Sequence, residues 1–138
     1  AGFTSGKPWL AVNPNYKKIN VAAQEKDPDS VLNYYRRLTA LRSDPVYGDS
    51  IVHGDFDPFM PEEPRFMSFY RRGDKKLLVL GNFSMNEKKV RISDQVKKVV
   101  LSNVNSDPGQ IRPGQGGEGS EGTEISLAPY QALILELA

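Results

Sequence analysis

The chain has 138 residues, 38% of them hydrophobic, with 12 Gly, 10 Pro, no Cys and a net charge of +1 from 18 basic and 17 acidic side chains. That length fits one domain with a core of its own, and no window approaches the ~20 apolar residues of a membrane-spanning helix. The near balance of charge argues against nucleic acid or an anionic membrane as a partner, and the lack of Cys excludes disulfides, thiolate chemistry and Cys-based zinc sites.

The first stretch, AGFTSGKPWLAVNPNYKK, shows no amphipathic period and no continuous apolar run of the signal-peptide kind. It nevertheless carries Phe3, the only Trp (Trp9) and Tyr16. Free tails are polar as a rule, so this aromatic load is out of place on one. PWLAVNPNY reads as a shaped loop punctuated by prolines, and its rings need a surface to cover them.

DPDSVLNYYRRLTALRSDP is the strongest local signal. Asp27 is a good N-cap, with Pro28 at the first helical position and Asp29 near the positive end of the helix dipole. Val31, Tyr34, Tyr35, Leu38 and Leu41 make one apolar stripe. Arg36, Arg37 and Arg42 crowd the second half, and Pro45 forbids continuation. The spacing predicts a helix over about 28–43.

After Pro45 the period becomes alternating. Arg65–Arg71 and Lys76–Phe83 flank a Gly-Asp turn and predict a β-hairpin. Lys89–Ile92, Lys97–Ser102, Glu124–Leu127 and Ala132–Leu137 are further strand candidates, and Ile51–His53 is a weaker one. Short strands without intervening helices indicate an antiparallel sandwich or partial barrel. The expected fold is mainly β, one helix followed by an antiparallel β domain.

Three patterns suggest chemistry, and each has a plainer account. GQGGEG at 114–119 satisfies G-x-G-x-x-G, but its flanks DPGQIRP and SEGTEIS lack the strand–turn–helix context that aims a helix N-terminus at a pyrophosphate. It reads as a loop between strands, so no nucleotide cofactor is expected. GDFDPFMPEEP places Asp55, Asp57, Glu62 and Glu63 close together, as general acid–base pairs or calcium ligands require. Its three prolines and missing calcium-loop spacing favour a solvated loop. His53 is the only histidine and has no G-x-S-x-G near it, so a Ser/His/Asp triad lacks its parts. No catalytic, cofactor-binding or metal-ligating residue is assigned from these patterns.

AGFTSGKPWLAVNPNY, then IN, then DPDSVLNYYRRLTALR, closely resembles the stretch late in the bacterial α-glucosidases of the α-amylase superfamily. That group includes oligo-1,6-glucosidase and dextran glucosidase, with trehalose-6-phosphate hydrolase and sucrose isomerase as near relatives. LLVLGNFS and LAPYQALILEL are similar to two strands of the family's C-terminal β domain. The likeness is specific up to residue 42 and weak from about Ser84 to Glu124. It implies a parent with a (β/α)8 barrel that cleaves α-1,6 or related α-1,4 bonds of α-gluco-oligosaccharides in the cytoplasm by a retaining mechanism. Residues 1–44 would be the remnant of that barrel, and 45–138 its C-terminal antiparallel domain.

Nothing in the chain matches the family's carboxylate motifs, so the segment alone is expected to be inactive, with a structural role against the catalytic barrel. Phe3 and Thr4 would border an outer sugar subsite in the parent. The helix stripe, without its barrel, would leave an apolar face that favours self-association. Two other readings stay open: a carbohydrate-binding β-sandwich, which needs exposed rings for sugar stacking, and a protein-interaction domain.

Overall fold

The computed structural model of the protein describes residues 4–104, 110–113 and 122–138. The chain forms two units, one up to Arg37 and one from Leu38 onward. In the first, Pro14–Lys17 makes a 3-10 turn capped by Asn13, whose side chain accepts from the Asn15 N–H at 3.1 Å. Asn20 caps α1 (Val21–Lys26) through the Ala23 N–H at 2.9 Å. Helix α2 (Val31–Ala40) follows and gives way to a 3-10 turn at Leu41–Ser43, before Pro45.

The start of α2 corrects the sequence expectation. Asp27 Oδ1 accepts from the Asp29 N–H at 2.9 Å and so closes a local turn rather than capping the helix. The orphan first-turn N–H groups of a helix need acceptors, and here they come from two other residues. Ser30 Oγ accepts from Asn33 N–H at 3.2 Å, and Gln24 Oε1, reaching over from α1, accepts from Leu32 N–H at 3.0 Å.

The second unit opens with α3 (Gly48–Val52), a single helical turn where Ile51–His53 had suggested a strand. Asp44 Oδ1 starts it by accepting from the N–H groups of Val46 and Tyr47 at 2.8 and 3.0 Å. Contacts with the sheet then hold it. Ser50 Oγ accepts from the Lys75 N–H at 2.9 Å, and the Ile51 carbonyl accepts from Arg71 Nη2 at 2.9 Å.

Among the described residues eight strands follow: β1 (Asp55–Pro58), β2 (Phe66–Arg72), β3 (Lys76–Asn82), β4 (Lys88–Ile92), β5 (Val96–Ser102), β6 (Ile111–Pro113), β7 (Thr123–Leu127) and β8 (Ala132–Leu137). They form two antiparallel sheets, ordered β1-β2-β3-β8-β5 and β4-β7-β6. The predicted hairpin is present as β2 and β3, with Arg72 opposite Lys76. β1 lies within the stretch expected to be a solvated loop. Its Pro58 is tolerated because β1 is an edge strand, where a missing N–H interrupts no second ladder.

Alternation sorts the side chains by face. Phe66, Tyr70, Leu78, Leu80, Leu133, Leu135 and Leu137 point from the larger sheet toward Val90, Ile92, Ile125 and Leu127 of the smaller one, and together they form the core. The architecture is therefore the antiparallel β-sandwich expected, preceded by helices.

Candidate functional site

Of the two residues expected near a sugar subsite, Phe3 lies outside the described residues. Thr4 is exposed, and its hydroxyl accepts from the Gly6 N–H at 3.1 Å, a turn within the segment. Trp9 is 93% exposed. Leu10, Ile19, Val21, Val31 and Tyr35 are also exposed, and among the described residues 4–37 only Ser30 is buried. The order of this unit comes from polar bonds. Asn33 Nδ2 donates to the carbonyls of Gln24 and Asp27 at 2.9 and 2.7 Å, and Arg36 pairs with Glu25 at 2.9 Å. The polar corner shapes the segment while Trp9, Leu10, Ile19, Val21, Val31 and Tyr35 stay exposed.

The acidic stretch is dispersed among structural pairs. Asp57 pairs with Arg72 across the β1–β2 ladder at 2.5 Å, and Glu63 pairs with Lys88. Asp55 and Glu62 are exposed. No group of three His, Cys, Asp or Glu side chains that could hold a metal ion occurs among the described residues. His53 is exposed at the end of α3, its N–H spent on the Asp49 carbonyl at 2.8 Å. The GQGGEG stretch lies outside the described residues.

The polar groups that do converge were not singled out from sequence. Glu136, on β8, is buried and accepts from the Tyr47 hydroxyl at 2.7 Å, with Lys75 Nζ at 3.4 Å. The Lys98 ammonium stands 5.2 Å from the centre of the Tyr47 ring. The Tyr47 hydrogen bond, aided by Lys75 and Lys98 against the cost of burial, holds the Glu136 carboxyl below its ordinary value. A second node surrounds Gln131, which is fully buried. Its Oε1 accepts from the Ala128 N–H at 2.8 Å, and its Nε2 donates to Ser102 Oγ and Gln110 Oε1, each at 3.2 Å. Both residues interrupt the apolar run QALILELA, and a polar residue in such a run was the available signal. Their partners are far away in sequence, so the run alone does not identify them.

The two sheets differ on their outer faces. On the smaller one, Lys89 stands opposite Ser126 and Arg91 opposite Glu124, a polar surface. On the larger one, the apolar residues that point away from the core are Phe56 on β1, Met67 and Phe69 on β2, Leu77 and Val79 on β3, and Ile134 on β8, with Arg71, Glu136 and Lys98 on the same face. Leu77 is fully buried, at the end of the face where Ser50 and Tyr47 bind Lys75 and Glu136. Toward the other end, Phe56 tilts against Phe69 at 5.0 Å, and the Phe83 ring lies over Gly81, so close that a Cβ there would sit 3.2 Å from it. Met67, Phe56 and Phe83 are 52%, 56% and 57% exposed.

Residues 1–50 match the family model described as the α-amylase catalytic domain. The chain is 37% identical over 142 residues to an oligo-1,6-glucosidase of Parageobacillus thermoglucosidasius, covering 99% of this chain and 23% of that protein. It is 42% identical over 112 residues to a probable oligo-1,6-glucosidase 2 of Bacillus subtilis, covering 78% and 19%. Among solved structures, an isomaltulose synthase from Klebsiella sp. LX3 superposes with a TM-score of 0.79 at 31% identity, over 99% of this chain and 23% of that one. The trehalose-6-phosphate hydrolase of Bacillus licheniformis superposes at 0.78, again over 99% and 23%.

Proposed function

Because the chain belongs to the oligo-1,6-glucosidase group of the α-amylase superfamily, as a segment about 23% of its relatives' length, we propose that it serves a retaining α-glucosidase as the closing part of its fold. In this reading residues 1–44 are the last loop and helix of a catalytic (β/α)8 barrel. Residues 45–138 are the β domain that seats on it. The parent cleaves α-1,6 or related α-1,4 bonds of gluco-oligosaccharides in the cytoplasm, and this segment holds the barrel without taking part in the chemistry.

The observation that carries the reading is the inside-out character of residues 4–37. A unit with Trp9 93% exposed and no large apolar side chain fully buried is ordered by polar corners and built to be covered. Retaining hydrolysis needs two carboxyls about 5 Å apart, whereas Asp57 and Glu63 are here engaged with Arg72 and Lys88. The test is a hydrolysis assay on p-nitrophenyl α-glucoside and isomaltose, run on this 138-residue chain and on the product of the reading frame that contains it. Turnover by the longer protein and none by the chain is expected. Turnover by the chain alone, or a frame without an upstream barrel, defeats the reading.

The exposed rings of Phe56, Phe83 and Tyr130 favour a second reading, a sandwich that binds glycan by stacking. Titration calorimetry with isomaltose, dextran and starch separates the two. Tight binding to any of them supports the binding module.

A further inference from the structure

We infer that the Ala128–Gln131 turn carries a sugar-binding site, in which a glucose unit of an α-gluco-oligosaccharide stacks on the ring of Tyr130. This rests on the carbohydrate-binding reading and goes further by naming the ring and the sugar class. The turn joins β7 to β8, and the Gln131 N–H donates to the Ala128 carbonyl at 3.1 Å. Proline in second place and a positive φ in third are marks of a type II turn, whose third residue is ordinarily Gly or Asn. Here Pro129 is followed by Tyr130, at φ 56. A bulky side chain in that conformation strains the backbone. The ring gains no burial in return, since it is 59% exposed.

The strained geometry is held from several sides. The Tyr130 N–H donates to the Ser84 carbonyl at 3.2 Å, and the Tyr130 carbonyl accepts from Asn103 Nδ2 at 2.9 Å. Gln131, fully buried, accepts from the Ala128 N–H at 2.8 Å. Asn82, itself 3% exposed, donates from Nδ2 to the carbonyls of Asn86 and Ala128 at 2.8 and 3.0 Å, which ties the 83–87 loop to the turn. Backbone strain persists only where its surroundings over-determine it, and it gathers at ligand sites. Two buried amides thus hold in place a turn that presents an aromatic ring to the outside, a preorganised surface for a ligand.

A pyranose has an apolar C–H face and a rim of hydroxyls. The Tyr130 ring meets the face by stacking. Its phenol group, and the exposed side-chain amide of Asn86 beside the turn, meet the rim as donors and acceptors. The 83–87 loop and the turn hold a single charged side chain, Glu87, which suits a neutral ligand. The Phe83 ring is turned elsewhere, over Gly81 on the outer face of the larger sheet, so Tyr130 is the stacking ring. α-Gluco-oligosaccharides are the sugars that the parent cleaves in the reading above, and they are the ligand class this ring takes.

The test is titration calorimetry of isomaltose and dextran into the 138-residue chain and three variants. The unaltered chain binds. Tyr130→Asn, which suits the turn and does not lower the melting temperature, weakens binding by at least about tenfold. Tyr130→Phe keeps the ring and most of the affinity, and Phe56→Ala leaves binding unchanged. An unaltered chain that binds neither sugar overturns this inference and the carbohydrate-binding reading together. Binding that survives Tyr130→Asn overturns the inference alone, and its loss in Phe56→Ala gives the site to the sheet. Equal losses in Tyr130→Phe and Tyr130→Asn remove the stacking role of the ring and also overturn it.

Discussion

Replacing Tyr47 with Phe removes one hydroxyl and leaves the ring in place. That hydroxyl donates at 2.7 Å to Glu136 Oε2, and the two residues are 6% and 7% exposed. A hydrogen bond to a charged group contributes about 1.5–3 kcal/mol. Lys75 Nζ, at 3.4 Å, remains to satisfy part of the carboxylate, so we expect a loss of about 2 kcal/mol. With an unfolding entropy near 2.1 cal/mol/K per residue over a unit of roughly 100 residues, that loss lowers the melting temperature by about 9 °C.

The effect has a pH signature. The carboxyl is held below its ordinary value chiefly by Tyr47, so its contribution is fully present above the unfolded value of about 4.3. It disappears as pH falls through the lower folded value. The variant returns that folded value toward normal, so the gap between the two proteins is widest above about pH 5 and narrows in acid. Thermal melts by circular dichroism at pH 7 and pH 3 measure both quantities. A shift under about 2 °C at pH 7, or an equal gap at both pH values, refutes the argument that Tyr47 and Glu136 pin α3 to the sheet.

Leu135 is fully buried in the core, and Leu135→Ala should cost about 2–5 kcal/mol in urea unfolding with an unchanged slope. Gly54→Ala drives a Cβ into the Ser50 carbonyl and to within 2.9 Å of the Arg72 carbonyl. Both are backbone atoms, so a loss of about 1–3 kcal/mol is expected from the forced shift. Tyr130 sits at φ 56 in the Ala128–Gln131 turn, with its ring 59% exposed. Tyr130→Asn, which tolerates that backbone better, should leave the chain's stability equal or raised by about 0.5 kcal/mol, again read from urea unfolding. Trp9 should fluoresce like free tryptophan in water, with full access to acrylamide and little change on unfolding. A blue-shifted, protected emission in the dilute chain would show that Trp9 has found cover.

How much of this could be read from the residues divides along one line, whether the determinant is local. β2 and β7 carry an alternating period on their own side chains, β3 and β8 are short apolar runs, and the Gly73–Lys75 turn between β2 and β3 is marked by Gly-Asp. The end of the long helix is equally local, because Pro45 stops it. Its beginning is not. Asp27, Pro28 and Asp29 look like a helix start, but the acceptor for Leu32 is Gln24, eight residues back and on another helix. Ile51 and Val52 have β-branched side chains and would suit a strand. They are helical because Asp44 starts the turn locally and Ser50 and Ile51 bind partners that only the finished sheet presents. β1 was hidden by Pro58 and the prolines that follow it; Pro58 would be excluded from a central strand but not from this edge.

The same division explains what was legible of the functional surface. The first residues had the look of a covered segment, since aromatic content is visible one residue at a time. The structure gives that impression physical content, because asparagine and glutamine side chains order the segment and leave Trp9 outside. The outer face of the larger sheet could not be foreseen, because Phe56, Met67, Val79 and Phe83 come from three strands and a loop and share a face only through the register. A solvent-facing sheet surface accumulates charge, as Lys89 and Arg91 do on the other side of the sandwich. On the larger sheet the exposed apolar side chains Phe56, Met67 and Phe83 share a face with Arg71 and Glu136, a grouping that only the strand register brings about.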